Sequence, residues 1–317
     1  MTQVNDSGFS ESDSERSVSS LGKKREKWSL EFGEKIDFKD VGFVISLAHS
    51  SRKLNTIIVE TEGGERTLNR PYVHAFIRAP KHNFKTAHAN ALLAKFPEST
   101  ARIDHVTYAG LTGTVTEKGE LVMPDIVRYR GRTVVMDETV RDRHGEATRA
   151  FLQLLENNSY SRKIGRAMKR QSFTFDDGTG AWYKAEDGLV EVYSPFVMIM
   201  LSMYSLTYTA STPLGDALLD RMFTIQYETT REQRDLMRRG LFKFQIEDFN
   251  CSREVRITRE QYQELLAWQD MIDPQLNPRV LDNMIRAFAI LQRHDQHVYE
   301  LMANAGRSKW VKEEGGQ

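Results

Sequence analysis

The sequence predicts an α/β fold in which a mostly parallel β-sheet is flanked by helices and followed by a helical region. Apolar, β-branched runs such as YVHAFI, RTVVMD, FVMIML and MFTIQYE alternate with helical stretches such as GEATRAFLQLLENN between residues 69 and 230. This alternation is typical of parallel strands joined by crossover helices. Beyond residue 230 the helical pattern prevails, with five apolar residues at helical spacing on one face: Leu281, Met284, Ile285, Phe288 and Leu291. We therefore expect an α/β core over 69–230 and a helical region over 231–305.

The sequence has polar segments at both ends. Residues 1–28 are rich in Ser, Asp, Glu, Lys and Arg and carry few large apolar side chains, so burial cannot offset the entropy of ordering them. We expect a disordered tail there and a flexible end over 306–317.

Residues 29–68 contain two β-branched runs, VGFVISLA and NTIIVE, followed by a Gly-Gly turn, which indicates a small strand-rich lead-in.

Composition excludes several classes of protein and of site. Lysine plus arginine and aspartate plus glutamate each number 44 in 317 residues, so the net charge of zero gives no overall attraction to nucleic acid, and any basic surface must be local. The single cysteine, Cys251, excludes an internal disulfide and a cysteine-only metal site. No apolar run reaches the roughly 20 residues that cross a bilayer, and no secretion signal is recognisable. We expect no membrane partner and an intracellular location, in the cytoplasm or nucleoid or inside a host cell.

The segment APKHNFKT, residues 79–86, separates a strand-like run from a helical one and ends like a phosphate-binding loop. The pattern of such loops is G-x-x-x-x-G-K-[ST], in which backbone N–H groups and a lysine hold the phosphates and the hydroxyl binds Mg²⁺. Lys85 and Thr86 fill the last two places, whereas Ala79 and Phe84 replace the two glycines. Phe84 is the more serious change, because the backbone there commonly takes a conformation that glycine tolerates cheaply. Taken alone, the match is also explained by a chance strand-Lys-Thr-helix sequence.

Two further features follow in the order that a nucleotide-binding protein requires. The strand-like run RTVVMDET ends in Asp137 and Glu138. Such carboxylates hold Mg²⁺ and orient the attacking water, or they simply face solvent at the end of a strand. Arg221 follows a helical turn and precedes the last strand-like run. It could reach the γ-phosphate held by a neighbouring subunit, or it could be a surface arginine or part of a structural ion pair.

The stretch between the loop and the carboxylates, YAGLTGTVTEKGELVMPDIVRYRGRTVVMDET, resembles the AAA+ motor domain of the minichromosome-maintenance (MCM) helicases. Gly110, Leu111 and Thr112 match a Gly-Leu-Thr segment of that family that leads into a β-hairpin. TVTEKGELV matches the hairpin, with Lys118 and Gly119 at its turn. The resemblance continues in the same order through FLQLLENNSYSRKIGR, PLGDALLDRMFTI, ITREQYQELL and NPRVLDNMIRAFAIL. It covers roughly residues 70–295.

The resemblance implies an AAA+ P-loop core with hairpin inserts, a helical lid over 231–305, and ATP with Mg²⁺ as cofactors. Ser202 stands near the sensor-1 position, which is usually an asparagine, and Arg279 stands at the sensor-2 arginine. The implied nucleotide-binding residues are Ala79, Lys85, Thr86, Ser202 and Arg279. The implied Mg²⁺ ligands are Thr86 and Asp137. The implied catalytic residues are Glu138 and Arg221, the latter as an arginine finger.

A basic segment offers a local surface for DNA. SRKIGRAMKR carries five cationic residues in a short span: Arg162, Lys163, Arg166, Lys169 and Arg170. Together with Lys118 they would contact DNA from two hairpins, of which the second, in the MCM family, lines the pore of a hexameric ring. A solvated basic loop or a contact between subunits explains the segment equally well.

Two functions of different classes follow. In the first, the protein is an MCM-like AAA+ ATPase that acts on single- or double-stranded DNA in replication. It forms a homo-oligomeric ring and couples ATP hydrolysis to DNA binding or unwinding. In the second, Phe84 and the weak sensor-1 match leave an AAA+-fold scaffold, which partners an active replication ATPase and has no efficient ATPase activity of its own. Another P-loop machine, such as a packaging ATPase, is disfavoured by the Gly-Leu-Thr segment.

Overall fold

The computed structural model describes residues 28–31, 35–68, 71–103, 108–137, 146–164, 169–203, 215–219, 221–305 and 309–312. Of the polar tail expected over 1–28, residues 1–27 lie outside these ranges. No helix within the described ranges is long and apolar enough to cross a lipid bilayer.

The regular elements alternate along the chain. The strands are Trp28–Glu31 (β1), Thr56–Thr61 (β2), Gly64–Leu68 (β3), Ala75–Arg78 (β4), Thr100–Ile103 (β5), Thr114–Val115 (β6), Leu121–Val122 (β7), Thr133–Asp137 (β8), Ser159–Lys163 (β9), Gln171–Thr174 (β10), Trp182–Glu186 (β11), Leu189–Tyr193 (β12), Val197–Ser202 (β13), Phe223–Gln226 (β14), Glu254–Ile257 (β15) and Lys309–Lys312 (β16). The helices are Phe38–Ser51 (α1), Lys85–Lys95 (α2), Tyr108–Thr112 (α3), Asp125–Arg128 (α4), Glu146–Asn157 (α5), Gly215–Leu219 (α6), Arg231–Arg238 (α7), Arg259–Ile272 (α8), Pro278–Leu291 (α9) and Gln296–Ala305 (α10), with a short 3-10 turn at Pro97–Ser99.

Five strands form an all-parallel sheet in the order β14-β4-β13-β8-β5. All residues of β13 are buried, because a parallel sheet covered on both faces has no polar face. This arrangement confirms the predicted α/β fold. The carboxyl ends of β4, β8 and β13 lie along one edge of the sheet, which is where parallel sheets bind ligands. The 79–86 loop, Asp137 and Ser202 therefore occupy the same edge.

The sheet separates two apolar cores, since alternate residues of each strand enter opposite cores. Along β4, Ala75 and Ile77 belong to the first core and Phe76 belongs to the second. The first core also contains side chains of α1, α2, α8, α9 and α10, whereas the second contains those of α5 and of β9, β11 and β12. Packing on both sides fixes the sheet and thereby holds its carboxyl edge in place.

The prediction that VGFVISLA forms a strand is wrong, because these residues belong to the helix α1. Asp37 caps the helix by accepting a hydrogen bond from the Lys39 N–H at 2.9 Å. Most residues of α1 are buried, with β13 on one side and α9 on another. A buried helix shows the same continuous apolar run as a buried strand. The second run does form β2, which pairs with β3 through the Gly-Gly turn as predicted.

Residues 35–68 of the lead-in pack against the C-terminal helical region. β2 pairs in parallel with β15, which precedes α8, and α1 contacts α9. The helices expected over 231–305 are present as α7, α8, α9 and α10. Near the two ends of the described chain, β1 pairs antiparallel with β16. Part of the segment expected to be flexible, 306–317, is therefore a strand.

Two inserts interrupt the parallel strands. The first is the predicted hairpin of β6 and β7, with Lys118 and Gly119 at its turn and the Gly119 N–H bonded to the Thr116 carbonyl at 3.0 Å. The second is a four-stranded antiparallel sheet in the order β10-β11-β12-β9, larger than the expected hairpin. Because β9 pairs with β12 and not with β10, the basic segment, which begins within β9, leads from one edge strand of this sheet to the other.

His88 lies on α2 with only 2% of its surface exposed, and its ring makes edge contacts with Phe38 and Phe244. Neither ring nitrogen has a hydrogen-bond partner within the described part of the chain. Burial lowers the pKa of His88 to about 3, because an imidazolium at this place would lose its hydration without compensation.

Replacing His88 with phenylalanine is expected to make the fold less sensitive to acid. An unfolded histidine binds a proton below about pH 6.5, whereas folded His88 stays neutral down to a pKa of about 3. The free energy of unfolding therefore falls as pH decreases from 6.5 toward 3, by about 1.4 kcal/mol per pH unit for one such group. Urea unfolding at neutral and at mildly acidic pH should show a smaller loss in His88→Phe than in the wild type. An equal loss in the two proteins would contradict the prediction.

Candidate functional site

The loop of residues 79–86 leaves the carboxyl end of β4 and leads into α2, which begins at Lys85. The Lys85 ammonium donates hydrogen bonds to the carbonyl oxygens of Ala79 at 2.7 Å and of Pro80 at 2.9 Å. The chain therefore wraps around this ammonium group, with the first carbonyl groups of the loop directed at it. The Ala79 N–H is bonded to the Ser202 carbonyl at 3.1 Å, which anchors the start of the loop to β13.

Two residues of the loop have positive φ angles, His82 at 63° and Phe84 at 58°. Phe84 occupies the place of the second glycine and takes the left-handed backbone conformation that glycine adopts without strain. For a residue with a Cβ this conformation costs roughly 1–2 kcal/mol. The Phe84 ring packs against the first apolar core, and its burial offsets part of that cost. The loop thus keeps the backbone conformation expected of a glycine without having one.

The backbone N–H groups of residues 81–86 donate no hydrogen bond within the described part of the chain. Successive N–H groups in a turn that contains left-handed residues form a concave nest that attracts anions. The last of these groups also belong to the first turn of α2, where the helix dipole adds to the positive potential. The loop is therefore suited to hold a phosphate group.

Asn83 fixes the loop against the segment that follows β14. Its buried side chain donates hydrogen bonds to the Pro80 and Lys81 carbonyls at 3.2 and 3.0 Å. It also accepts two hydrogen bonds from Thr229, one from the N–H and one from the hydroxyl, both at 2.7 Å. The Tyr227 hydroxyl donates to the Asn83 carbonyl at 2.7 Å. Sequence reasoning missed this residue, because a single asparagine in a loop carries no signal that its amide bridges two distant segments.

The Thr86 hydroxyl donates a hydrogen bond to the Asp137 carboxylate at 3.0 Å, so the structure brings together the two residues predicted to bind Mg²⁺. The Arg102 guanidinium lies 3.4 Å from the same carboxylate. Among the described residues, no three His, Cys, Asp or Glu side chains converge on a metal site. A hydroxyl and one carboxylate nevertheless suit Mg²⁺, which keeps several waters and takes further ligands from substrate phosphates. The predicted catalytic residue Glu138 lies outside the described residues.

The charge of Lys85 is only partly compensated. Burial lowers the pKa of its ammonium, the Asp137 carboxylate raises it, and the Arg78 guanidinium lowers it again, with a net decrease. A decrease means that the site as it stands disfavours the charged form of the lysine. An anion held in the nest would favour that form, because an opposite charge within about 4–6 Å stabilises it.

A cavity of about 480 Å³ lies over the loop. It is lined by residues 82–87 and by Arg234 and Arg238 of α7. Its volume is typical of small-molecule sites, which span about 300–1,000 Å³. Sequence reasoning missed both arginines, because their helical spacing does not show which way the helix faces.

Of the other residues that the resemblance implied, Ser202 lies beside the loop, whereas Arg221 and Arg279 do not line the cavity. Ser202 is buried at the end of β13, between β4 and β8. Arg221 precedes β14 and so lies at the amino edge of the sheet, opposite the loop, where its guanidinium contacts Glu156 at 2.8 Å. Arg279 is exposed in the first turn of α9 and does not line the cavity. The structure therefore groups Ser202 with the loop but places the two arginines elsewhere.

Two of the basic residues predicted to contact DNA are in ion pairs. Lys169 lies 3.4 Å from Glu120 of the first insert, and Arg170 lies 3.1 Å from Glu186 of β11. The cationic side chains of these pairs are largely exposed. Exposed ion pairs contribute roughly 0–1 kcal/mol, so a polyanion could replace the acidic partners at little cost.

The remaining basic residues differ in their surroundings. Arg162 donates a hydrogen bond to the buried Thr112 hydroxyl at 2.6 Å, which ties β9 to α3. Lys118 at the hairpin turn and Lys163 at the end of β9 are exposed. Arg166 lies outside the described residues. The exposed lysines, more than Arg162, are therefore available to a polyanionic partner.

No protein-family model matches this chain, and no curated protein matches it at a significant level. The functional assignment therefore depends on the geometry of the 79–86 loop, the Thr86–Asp137 pair and the cavity above them.

Proposed function

We propose that this protein is an MCM-like AAA+ ATPase that binds ATP with Mg²⁺ at the 79–86 loop, forms a homo-oligomeric ring and couples hydrolysis to the binding or unwinding of DNA in replication. The loop itself carries the proposal. Its chain wraps around the Lys85 ammonium, the N–H groups of residues 81–86 donate to no described group, and the Thr86–Asp137 pair lies beside it. Backbone donors, a cation and Mg²⁺ ligands are the three requirements of a nucleotide-phosphate site.

The order of the strands supports the same proposal. β13 lies between β4 and β8, so the strand that ends at Ser202 lies between the strands that lead to the loop and to Asp137. A serine hydroxyl at this edge of the sheet can bond a phosphate oxygen or the attacking water, with a shorter reach than an asparagine. Lys85 neutralises the β and γ phosphates, and Thr86 and Asp137 hold Mg²⁺, which when bound stabilises the charge that develops on the phosphate oxygens. Glu138 orients the attacking water.

The position of Arg221 supports assembly into a ring. This arginine lies at the opposite edge of the sheet from the loop of its own chain, so it cannot reach a phosphate held there. A neighbouring copy related by rotation can present its loop to this edge, as in the head-to-tail interfaces that close into rings. In that assembly Arg221 exchanges Glu156 for the γ-phosphate.

The two inserts supply the surface proposed to contact DNA. The Lys169 N–H is bonded to the Gly119 carbonyl at 2.9 Å, and the Lys169 ammonium pairs with Glu120. The exposed Lys118 at the hairpin turn therefore lies beside the end of the basic segment. Clustered cations of this kind attract phosphates without sequence preference and make binding dependent on salt.

ATP turnover by the full chain, measured with Mg²⁺ in the presence and absence of single-stranded DNA, tests the proposal. We expect turnover that DNA stimulates and that is lost in Glu138→Gln, because this variant retains nucleotide binding but no longer orients the water. Wild-type turnover no greater than that of Glu138→Gln would overturn the proposed activity.

A second candidate function is favoured by one observation, the left-handed backbone of Phe84. If the ring or the strain impairs nucleotide binding, the protein is an AAA+-fold scaffold that partners an active replication ATPase. We expect instead that Phe84→Gly changes ATP affinity by no more than about threefold, because the wild-type backbone already has the conformation that glycine favours.

Phe84→Ala is the matched control for this comparison, since it removes the ring but retains the strained Cβ. ATP affinity of the three proteins is measured by calorimetric titration. Binding by the wild type only at millimolar ATP, restored by Phe84→Gly, would support the scaffold function instead.

A further inference from the structure

The helix α7 lies over the loop, and none of its residues is buried. Thr230 caps it: the hydroxyl accepts a hydrogen bond from the Gln233 N–H at 3.1 Å, and the Gln233 side chain accepts one from the Thr230 N–H at 2.8 Å. Thr229, the residue before the cap, is held by Asn83 of the loop. The start of α7 is therefore fixed to the loop, whereas the rest of the helix has no fully buried side chain and contacts the first apolar core through the partly buried Met237.

Arg234 and Arg238 are one helical turn apart and project from the same face of α7. Both line the cavity that Lys85 and Thr86 also line. Within the described part of the chain, Arg234 makes no salt bridge, and Arg238 has only Asp235 at 4.0 Å, with the arginine side chain 75% exposed. No aspartate or glutamate is among the described residues that line the cavity. Three cations from two separate elements therefore surround one space.

We propose that Arg234 and Arg238 bind the phosphate chain of a nucleoside triphosphate within the same subunit and select triphosphates over shorter phosphate chains. This inference rests on the proposed function, because the loop must hold the first phosphates. A triphosphate at the loop extends into the cavity and reaches both guanidinium groups, whose forked donors match phosphate oxygens. A monophosphate occupies the nest alone and leaves α7 without a ligand.

Ligand binding has a second consequence for α7. Because the helix has no fully buried side chain and Met237 of its second half is only partly buried against the first apolar core, a triphosphate adds a substantial contact there. Elements with few buried contacts open locally at low free energy. Amide hydrogen exchange over 231–238 should therefore slow when a triphosphate binds, and slow less when a monophosphate binds.

Two other arginines at α7 provide a matched control. Arg231 and Arg239 line a separate surface pocket together with Glu232 and Asp235. Changing this second pair to glutamine removes two positive charges from α7 and the residue that follows it, and leaves the residues that line the cavity over the loop unchanged. A comparison of the two double variants separates phosphate contact from the general effect of positive charge.

The experiment compares three full-length proteins: the wild type, Arg234→Gln/Arg238→Gln and Arg231→Gln/Arg239→Gln. Each is titrated with ATP, ADP and inorganic tripolyphosphate in the presence of Mg²⁺. We expect Arg234→Gln/Arg238→Gln to weaken binding of ATP and tripolyphosphate by about tenfold or more, and of ADP by about threefold or less. It should also lose the ATP-dependent protection of 231–238 from exchange. The control variant should bind like the wild type.

Three other outcomes are informative. If the wild type binds ATP and Arg234→Gln/Arg238→Gln loses no more affinity than the control, this inference is overturned and the proposed function stands. If the wild type binds tripolyphosphate but not ATP, and the first variant loses that binding, the proposed function is overturned and the two arginines remain phosphate ligands. If the wild type binds neither, both are overturned.

Discussion

Replacing Arg221 with glutamine is expected to lower ATP turnover by about a thousandfold and to leave ATP affinity nearly unchanged. An arginine that reaches the phosphate of a neighbouring subunit accelerates phosphoryl transfer by about 10³–10⁵-fold. In the proposed ring, Arg221 would act on charge that develops in the transition state, so its loss would spare the contacts proposed between bound nucleotide and Lys85 and Thr86 of the other subunit. Steady-state turnover with single-stranded DNA, together with equilibrium ATP binding, tests this expectation.

Arg221 also has structural contacts, and its partner supplies the control. The guanidinium donates hydrogen bonds to the Glu156 carboxylate and to the Ala217 carbonyl, both at 2.8 Å. Glu156→Gln removes the ion pair but retains the arginine, so it should keep most of the turnover. If the two variants lose turnover equally, Arg221 serves the fold and the prediction is wrong.

A mixture of two inactive variants distinguishes action between subunits from action within one. Lys85→Met lacks the lysine of the loop but retains Arg221, and Arg221→Gln has the reverse defect. In a ring that contains both, the intact loop of one chain can meet the intact arginine of the next. With random assembly of equal amounts, about a quarter of the interfaces should be complete. Absence of any recovery in a mixture shown to co-assemble would argue against an arginine supplied by a neighbour.

Lys85→Met alone is expected to lower ATP affinity by about 10- to 100-fold, the effect of losing a charged hydrogen bond worth roughly 1.5–3 kcal/mol. The ammonium lies at the centre of the loop, bonded to the Ala79 and Pro80 carbonyls, where phosphate and lysine would compensate each other's charge. Isothermal titration with Mg²⁺ and ATP measures the change.

Lys81→Met is the matched control for Lys85→Met. Lys81 belongs to the same loop, but its side chain is exposed and does not line the cavity, so its loss should change ATP affinity little. Urea unfolding of both variants checks that the fold is retained. Equal losses of affinity would show that only the overall charge of the loop matters, and the role assigned to Lys85 would be wrong.

The parallel sheet could be predicted from sequence because its strands are buried on both faces. Burial makes each strand a continuous apolar run between polar segments, as in RTVVMD and FVMIML. The same property misled the assignment of α1, since an apolar run of this kind has no period that separates a helix from a strand. The length of α1 and its cap at Asp37 were the only local signals of a helix.

The candidate site could be predicted only in part. Lys85, Thr86 and Asp137 could be found because each follows an apolar strand, and the carboxyl ends of parallel strands share one edge of the sheet. The backbone conformation of Phe84 depends on the packing of its ring, and the bridge from Asn83 joins segments far apart in the chain. Contacts of this kind leave no local pattern. The orientation of α7 over the loop also depends on a contact between distant segments, the one between Asn83 and Thr229.

The order of strands in the parallel sheet has a consequence for the synthesis of the protein. β4, the strand that leads into the loop, pairs with β13 on one side and β14 on the other. Both partner strands follow the two inserts in the chain, so they leave the ribosome only after both inserts have been synthesised. At about 5–20 residues per second, β4 has no sheet partner for on the order of ten seconds. During that interval its apolar run has two open edges, and such edges pair readily with other chains. The nascent polypeptide is therefore exposed to pairing with other chains until β14 has emerged.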